Sequence, residues 1–556
     1  MTRFDGFDCD VLVVGAGPTG LMAADLLKRW GVDVRIVDDR LEPSRESRAF
    51  AVAARSMELF LSIDLADAIL QRAVLNSRAR MHVRGRLVGG LDFDTVEAPD
   101  TPFPFITLHP QSDTERVLIE DLSRLGLAVE RGRTVRSVVQ DATAVTAQFE
   151  ASAAGGAIRS RYLLGADGAH SVVRKALGLA FAGAQYPQTF LLADCRVDWP
   201  LDHAGFRGFL NGERVGLFLP LDGTACSRVM VTEPRPADAS DLPHATALEL
   251  GELERAFAAV SELPVKLSDP RWVTRFHTSH RGVDRYQVGR VFLAGDAAHI
   301  HSPAGGQGMN TGLQDAANLA WKLAAVLRGA APDLLASYDS ERRPVGRDVV
   351  RTTDAMFEVV AGRTGWEAAA RDLFARPAAA ALSHLPTVQT AAFRKLAEID
   401  IAYGPSPCVE PPAPSAGAHG PQPGQRAPNA PITRHRDVFD LLSGARFTLL
   451  ALSRRPLERD EAEALVARLR MLEGPAIAAR VVARLTAGRV GGVELTTAAA
   501  VFAAYGLPDE EAQALLLVRP DGYLAWRSDS LDVDACRPLL RRLALEGSAG
   551  NPAAGG

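Results

Sequence analysis

The first forty residues constrain the fold of this chain more than any other stretch. Residues 10–14 read DVLVV, a short apolar run, and the glycine-rich turn GAGPTG begins directly after it at Gly15. Apolar residues with helical spacing follow, and a second apolar run, residues 32–37, ends in Asp38. The order of strand, glycine turn, helix, strand and acid predicts the first half of a dinucleotide-binding unit on a parallel sheet.

The residues of this turn have distinct expected uses. Gly15 and Gly17 let the backbone turn tightly and approach a pyrophosphate, and Gly20 allows close packing of the helix. Asp38 lies about twenty residues farther on, where such units accept a ribose hydroxyl. We therefore assign the turn, including Pro18, to cofactor binding, with a purely structural tight turn as the alternative.

Composition narrows the class of protein. The 556 residues exceed what one hydrophobic core serves, so two or three domains are expected. A net charge of -5 and 47% apolar residues give no basic excess for nucleic acid or for a membrane surface. Five scattered cysteines without a C-x-x-C pair argue against a disulfide framework and against a metal site. With no signal-peptide pattern and no long apolar run, we expect a cytoplasmic protein.

The alternation of strand-like and helix-like segments predicts an α/β protein with an inserted sheet. The expected divisions are residues 1–180 and 276–402 for the dinucleotide-binding domain, 181–275 for the inserted sheet, 403–431 for a Pro/Gly-rich linker, 432–546 for a small α/β domain closing on a hairpin, and 547–556 for a disordered tail.

Two later motifs bear on the identity of the dinucleotide. Residues 163–174 read LLGADGAHSVVR, a strand, a turn and a helix, in which Asp167 could serve only as a helix cap. Residues 292–310 read FLAGDAAHIHSPAGGQGMN, an apolar strand, then Asp296, then a glycine-rich loop before a long helix. We expect this strand to lie beside the first one, so that the Asp296 carboxylate can accept hydrogen bonds from a polyol crossing that edge.

A flavin has the parts that these motifs could bind. Its adenosine pyrophosphate suits the first turn, its ribityl chain suits Asp296, and its reduced ring carries negative charge near N1 and the C2 carbonyl. Backbone amides at the start of the long helix favour such a charge. A nicotinamide cofactor has no polyol and leaves the second acid unexplained, so non-covalent FAD is the expected cofactor.

The motifs GAGPTG, ADGAHSVVR and LAGDAAHIHSPAGGQGMN, in that order, resemble those of the class A flavoprotein monooxygenases, the aromatic hydroxylases related to p-hydroxybenzoate hydroxylase. The resemblance covers residues 8–400. The remainder, with PGQRAPNAPI and LLVRPDGYLAWRSD, resembles the thioredoxin-like C-terminal domain of the phenol and polyketide hydroxylase subgroup. The implied fold is α/β, a Rossmann-like FAD-binding domain with an inserted mixed β-sheet substrate domain and a thioredoxin-like C-terminal domain.

The resemblance also implies roles for single residues. The cofactor-binding roles fall on Asp38 for the ribose, Arg48 near the pyrophosphate, Gln111 beside the flavin, Asp167 for FAD and transient NAD(P)H, and Gly295 and Asp296 at the ribityl chain. The catalytic positions are Pro303 against the flavin ring and Gly308, Met309 and Asn310 as backbone donors. The pair Asp38-Asp39 stands where the family commonly has Glu-Arg, so Asp39 is the alternative ribose ligand.

The implied reaction is reduction of FAD by NAD(P)H, attack of dioxygen to form a flavin C4a-hydroperoxide, and oxygen transfer to an electron-rich aromatic ring. The chain has no second glycine fingerprint, so NAD(P)H is expected to bind transiently in an open groove. The substrate pocket is expected between the flavin and the middle sheet. Its candidate wall residues are Phe105, Phe209, Phe218 and Leu221, for which ordinary core packing is the alternative.

Several other interpretations remain open at this point. The same scaffold can perform Baeyer-Villiger oxygenation or inactivate an aromatic antibiotic, and a flavoprotein that only oxidises or reduces its substrate is a further possibility. A flavin-binding scaffold without activity is the non-enzymatic alternative, and a homodimer is a candidate assembly. We expect His299 and His301 to pack locally, Arg116 and Arg174 to be structural, and Trp321 to lie in the core.

Overall fold

The computed structural model describes residues 6–44, 49–76, 78–93, 96–150, 156–234, 245–246, 248–301, 306–361, 385–411 and 419–545. Strands β1 to β10 are Cys9–Val14, Val34–Val37, Ala51–Val52, Val74–Asn76, Arg78–Val83, Arg86–Asp92, Ile106–Leu108, Val135–Gln140, Val145–Phe149 and Ala157–Gly165. Strands β11 to β19 are Ala182–Asp198, Phe206–Asn211, Arg214–Asp222, Cys226–Pro234, Ala245–Thr246, Lys266–Gly282, Gln287–Val288, Val291–Leu293 and His299–Ile300. Strands β20 to β26 are Pro431–Thr433, Arg436–Asp437, Phe447–Leu457, Ile477–Leu485, Val493–Leu495, Gln513–Val518 and Leu524–Ser528.

Helices α1 to α6 are Pro18–Arg29, Ala54–Leu61, Ala66–Leu70, Gln111–Arg124, Val172–Ala176 and Leu250–Ser261. Helices α7 to α12 are Gln307–Leu327, Ala336–Ala361, Pro386–Leu396, Arg459–Arg470, Ala499–Ala504 and Arg537–Arg542. Within the ranges described, none of these helices is both long enough and apolar enough to cross a membrane.

The first layer is a mostly parallel sheet in the order β17-β18-β10-β1-β2. Residues on both faces of β1 are buried, as expected for a parallel sheet covered by helices, and α1 and α7 pack against each other beside it. The prediction that the strand before Asp296 lies beside β1 is wrong, because β10 lies between β18 and β1. All three strands are parallel, so the turns that follow them still meet at one edge.

The second layer is a larger sheet in the order β15-β16-β11-β14-β13-β12-β5-β6, mostly antiparallel. The predicted range for it, 181–275, is too short. β5 and β6 come from residues 78–92, with β5 parallel to β12, and β16 continues to Gly282. The polar and glycine-rich character of β5 and β6 hid this pairing, because they lack the apolar alternation of a buried strand.

The third layer is a mixed sheet in the order β24-β23-β22-β25-β26. The predicted closing hairpin is present as β25 and β26, which pair antiparallel around the Asp-Gly turn. The segment before this domain differs from the expected loose connector. Among its described residues, the Tyr403 ring lies 4.2 Å from that of Tyr523, and the amides of Gly424 and Ala427 donate to carbonyls of the hairpin. Backbone pairing compensates for its shortage of apolar side chains.

Buried charges join the third layer to the first. Arg519, beside the hairpin turn, donates to both carboxylate oxygens of Glu341 on α8 at 3.0 and 2.9 Å. Lys322 on α7 donates to the same carboxylate at 2.8 Å. Burial alone would raise the pKa of Glu341, but Arg519 and Lys322 hold it far below its usual value. The C-terminal domain is therefore bonded to the body of helix α7, and Trp321 on that helix is buried as expected.

Candidate active site

The glycine turn after β1 combines closely packed glycines with an open one. Gly15 has φ +102°, and a side chain there would overlap the backbone of Ala166. A side chain at Gly20 would overlap the carbonyl oxygen of Gly15. Gly17, in contrast, has no atom within 4 Å of the position that its Cβ would occupy. Gly17 also caps α1 without a side-chain hydrogen bond, so an anion can approach the helix start at this point.

Asp38, at the end of β2, is the acid that faces this turn. Its carboxylate accepts hydrogen bonds from the amide of Ala16 at 2.6 Å and from the amide of Arg40 at 3.0 Å. Arg131 forms an ion pair with it at 3.3 Å. Asp39 is exposed. The geometry therefore favours Asp38 over Asp39 as the residue that borders the glycine turn.

The first and third motifs meet around Thr19 of α1. Gly295 has φ +57°, and a Cβ there would lie 2.6 Å from the Thr19 hydroxyl oxygen. A side chain at Gly312 on α7 would collide with the same hydroxyl. Asp296 is exposed, whereas its neighbours Gly295 and Ala297 are buried. The carboxylate thus lies at the open edge of the sheet, beside the glycine turn.

A buried carboxylate holds the Asp296 loop in place. Asp315 on α7 accepts a hydrogen bond from the Gly295 amide at 3.1 Å, and its other contacts are His299 Nε2 and Arg342 Nε, each at 2.7 Å. Burial opposes ionisation, but Arg342 and His299 hold the pKa of Asp315 below its usual value. A Cβ on Gly308 would lie 3.3 Å from the His301 ring. Both histidines therefore pack or bond locally, as expected.

Helix α7 starts at the loop predicted to bind the flavin ring. Its cap, Gly306, has φ +64° and provides no side-chain hydrogen bond. The Asn310 side chain accepts from the amide of Ala53 at 2.9 Å and donates to the carbonyls of Ala51 at 3.0 Å and of Gly306 at 2.9 Å. Asn310 thus ties the helix start to β3, which is a structural task in addition to the predicted backbone donation. Gly308 and Met309 lie in the same first turn.

Asp167 caps helix α5. Its carboxylate accepts hydrogen bonds from the Ser171 hydroxyl at 2.6 Å and from the amides of Val172 and Val173 at 2.7 and 3.1 Å. Burial raises the pKa of Asp167. The capping alternative is thus what the geometry supports. Arg174 donates to the carbonyl of Ala297 at 3.0 Å, so it joins the second motif to the third.

Gln111 is the first residue of α4, and both ends of its side-chain amide are bonded. The amide nitrogen donates to Glu115 at 2.9 Å, and the amide oxygen accepts from the backbone N–H of Ala49 at 3.3 Å. Arg48 and Pro303 lie outside the described residues. The roles of these three residues at the cofactor remain predictions.

The structure does not support two of the predicted pocket residues. Phe209 and Phe218 are fully buried, and their ring centroids lie 5.9 and 4.3 Å from that of Trp199, in a cluster beneath α6. They lie on the face of the sheet that α6 covers. Phe105 is half-buried and packs edge-on against Phe103 at 6.2 Å, and Leu221 is buried at the end of β13.

The opposite face of the same sheet carries a wall that we did not predict from the sequence. It includes the half-buried side chains of Phe206, Leu217, Trp272 and Phe276. The alternation of side chains along β13 indicates this wall, because Leu217 must lie on the opposite face of the sheet if Phe218 lies in the core. These residues lie on three strands, β12, β13 and β16, which are spread along the sequence, so spacing alone does not bring them together.

The residues present fit FAD. The open glycine turn suits a pyrophosphate, Asp38 borders it, Asp296 is exposed at the same edge, and the start of α7 lacks a side-chain cap where a partly anionic ring would lie. The glycine turn, Asp38 and Asp296 follow the ends of parallel strands, the edge at which open α/β sheets bind ligands.

Comparison with known proteins agrees with this geometry. Residues 8–353 match the family model described as FAD binding domain, and residues 420–546 match that described as aromatic-ring hydroxylase, C-terminal. The chain is 33% identical to rifampicin monooxygenase of Rhodococcus hoagii over 79% of this chain and 86% of that protein. It is also 33% identical to 12-dehydrotetracycline 5-monooxygenase/anhydrotetracycline 6-monooxygenase of Streptomyces rimosus, over 93% of this chain and 95% of that protein.

Among solved structures, a ternary complex of aklavinone-11 hydroxylase with FAD and aklavinone superposes with a TM-score of 0.76 at 27% identity, covering 97% of this chain and 99% of that one. The chain belongs to the FAD-dependent aromatic-ring hydroxylases, a family of flavoprotein monooxygenases.

Proposed function

We propose that this protein uses NAD(P)H and dioxygen to hydroxylate a phenolic or polyketide-type aromatic substrate. The observation that carries the proposal is the convergence of the open glycine turn, exposed Asp296 and the uncapped start of α7 along one edge of the sheet. The similarity to hydroxylases whose names include anhydrotetracycline and aklavinone supports a fused-ring substrate.

Each part of the edge has a separate task in this proposal. Gly17 admits the pyrophosphate to the amides of α1, Asp38 accepts from the adenosine ribose, and Asp296 accepts from the ribityl hydroxyls. The start of α7 would lie against the flavin ring and would stabilise negative charge on it, because the helix dipole is positive there. When bound, FAD supplies the redox and oxygen-transfer chemistry, and the protein supplies binding, orientation and exclusion of water.

The substrate lies between the flavin and the wall of the second sheet. A phenol activates its own ortho and para carbons, so the protein has to present one ring edge to the flavin and shield it from solvent. NAD(P)H binds transiently from outside.

The test is oxidation of NADPH and of NADH by the purified flavoprotein, with and without a panel of phenols and polycyclic polyketides, under labelled dioxygen. We expect one panel member to stimulate turnover and its product to gain one labelled oxygen atom. Stimulated turnover with an unlabelled product would instead indicate an oxidase or reductase. Absence of flavin reduction by either nucleotide under every condition would contradict the proposal.

Product connectivity separates the remaining oxygenations. The similarity to rifampicin monooxygenase favours antibiotic-inactivating hydroxylation as the second candidate. Loss of antibacterial activity of a rifamycin after incubation with the enzyme would support it, and an oxygen inserted beside a ketone would indicate Baeyer-Villiger chemistry. The expected homodimer and cytoplasmic location stay predictions; light scattering on the purified protein checks the dimer.

A further inference from the structure

The wall of the second sheet that faces away from α6 is largely apolar and aromatic. The register pairs Leu217 with Met230 and Phe190 with Phe276, so these side chains share one face. Phe206, Leu217, Trp272 and Phe276 are half-buried, and therefore retain exposed surface in the free protein. A flat ring system can stack on such a surface.

This wall faces the start of α7. The ring of Phe50 packs with Leu217 and Leu219 in one cluster, and the same ring lies 3.8 Å from the position of a Cβ on Gly306. Gly306 is the cap of α7. The wall and the predicted flavin loop therefore border one space.

A buried ion pair lies in the centre of the wall. Arg228 on β14 donates to the two carboxylate oxygens of Asp194 on β11 at 2.7 and 2.8 Å, a two-pronged geometry. Arg228 is fully buried and Asp194 is 7% exposed. The guanidinium carbon lies 5.6 Å from the ring centroids of both Phe50 and Trp272. The pair is thus enclosed by the aromatic rings that border the pocket.

This arrangement leaves the cation unsuitable as an anchor for an acidic substrate. Two of the guanidinium N–H groups donate to Asp194, whose charge offsets that of Arg228. A substrate carboxylate would therefore leave water for a poorly solvated wall without meeting a net positive charge. A neutral ring system avoids this desolvation cost.

We propose that the Asp194–Arg228 pair makes this wall electrically neutral and restricts the substrate to uncharged phenols, excluding aromatic carboxylates. The inference rests on the proposed function, because it concerns the substrate of the same site. It names the charge class of that substrate and the two residues that set it.

The first experiment uses the wild-type holoenzyme and a matched pair of probes, danthron and rhein, which share one phenolic anthraquinone skeleton and differ by a carboxylate. Binding is measured by titrating the flavin absorbance, and turnover by stimulated NADPH oxidation. We expect danthron to bind roughly tenfold or more tightly than rhein. Equal binding, tighter binding of rhein, or binding of neither probe would overturn the inference.

The second experiment changes the pair itself. Asp194→Asn removes the anion and leaves Arg228 charged, so the preference should shift roughly tenfold or more towards rhein. Asp198→Asn, an exposed acid on the same strand, is the matched control and should keep the wild-type preference. Because an unpaired buried cation can impair folding, the double variant Asp194→Leu with Arg228→Met is tested alongside it. The double variant should fold and keep the preference for danthron.

An unchanged preference in a folded Asp194→Asn protein would also overturn the inference. The two proposals fail separately. If danthron binds more tightly than rhein but no substrate acquires labelled oxygen, the proposed function is wrong and the charge preference of the wall stands. If labelled product forms preferentially from aromatic carboxylates, hydroxylation stands and the role of the pair is wrong.

Discussion

Replacing Glu398 with Gln should make the protein less sensitive to rising pH. Glu398 follows α9, is 3% exposed, and bonds with Gln314 on α7. Within the described residues, Glu398 Oε1 and Gln314 Oε1 have no hydrogen-bond partner. A proton on the carboxyl group can satisfy both oxygens, whereas an ionised group cannot. Burial raises the pKa of Glu398 to about 8. The positive charges of Arg342 and Arg55 act to lower this pKa, and the negative charge of Asp315 acts to raise it.

The magnitude follows from the difference between the folded and unfolded states. The unfolded group has a pKa of 4.5 and the folded group about 8, a difference of about 3.5. Between these values the unfolded chain is ionised and the folded chain keeps its proton, so rising pH favours unfolding by about 1.4 kcal/mol per pH unit. The stability that protonated Glu398 contributes to the folded state is fully present below its pKa of 4.5 in the unfolded chain. It is lost as the pH rises through its pKa of about 8 in the folded protein. The total loss is about 5 kcal/mol.

Glu398→Gln removes this titration and keeps the shape of the pair. The new amide can donate to Gln314 Oε1 and accept from Gln314 Nε2, so both side chains stay paired. We expect urea unfolding of the flavin-loaded variant, followed by circular dichroism, to show a free energy of unfolding that falls less steeply between about pH 5 and about pH 8, by about 1.4 kcal/mol per unit. At the alkaline end the variant should be the more stable protein.

The control is Glu213→Gln, an exposed glutamate at the turn between β12 and β13, which should leave the pH dependence unchanged. A Glu398→Gln protein with the same pH dependence as the wild type, or with lower stability at alkaline pH, would refute the reasoning. The first result would mean that the carboxyl group is already ionised in the folded protein, and the second that its proton is not what stabilises the pair.

Three further predictions concern the cofactor edge and the domain junction. Asp296→Ala should weaken FAD binding roughly tenfold to a hundredfold, which corresponds to the loss of a hydrogen bond to a charged group. Asp284→Ala, on an exposed loop, is the control and should leave FAD binding unchanged. The same flavin affinity in Asp296→Ala as in the wild type, measured by fluorescence titration, would contradict the prediction. Gly17→Ala should leave apoprotein stability intact but impair FAD binding. Gly20→Ala should destabilise the apoprotein, because its methyl group would overlap a carbonyl oxygen. Thermal unfolding without flavin distinguishes the two variants. Glu341→Ala should cost roughly 3–5 kcal/mol in urea unfolding, because Lys322 would be buried without a carboxylate partner and Arg519 would keep only Asp521. A loss below about 1 kcal/mol would count against the buried network.

Local sequence patterns are sufficient to predict the elements that we expect to bind the cofactor. The first strand, the glycine turn and Asp38 come within thirty residues, so their geometry follows from short-range rules that the structure confirms. The position of Asp296 at the same edge was also foreseen, although the intermediate strand β10 was not. The extra strand between β18 and β1 does not change the edge at which their turns lie, because β1, β10 and β18 run parallel.

The wall of the second sheet could not be predicted in the same way. Its residues come from strands that are far apart in sequence. The face of the sheet on which each side chain lies depends on strand register, and a shift of one residue moves every side chain of a strand to the other face. Phe209 and Phe218 were therefore assigned to the pocket although they pack under α6, and the Arg228–Asp194 pair went unnoticed. The cap at Asp167 was recognised as an alternative because a helix start has a local signature.

The salt bridge between the C-terminal hairpin and helix α8, which Lys322 of helix α7 shares, has a consequence for synthesis of the protein. Arg519 is made long after Lys322 and Glu341, the partners with which it shares a buried site. During synthesis on the ribosome, the buried charge network of Lys322, Glu341 and Arg519 stays incomplete until nearly the whole chain has been made. We therefore expect folding of the two domains to be coupled, so that nascent chains stalled before the hairpin should recruit chaperones and bind flavin poorly.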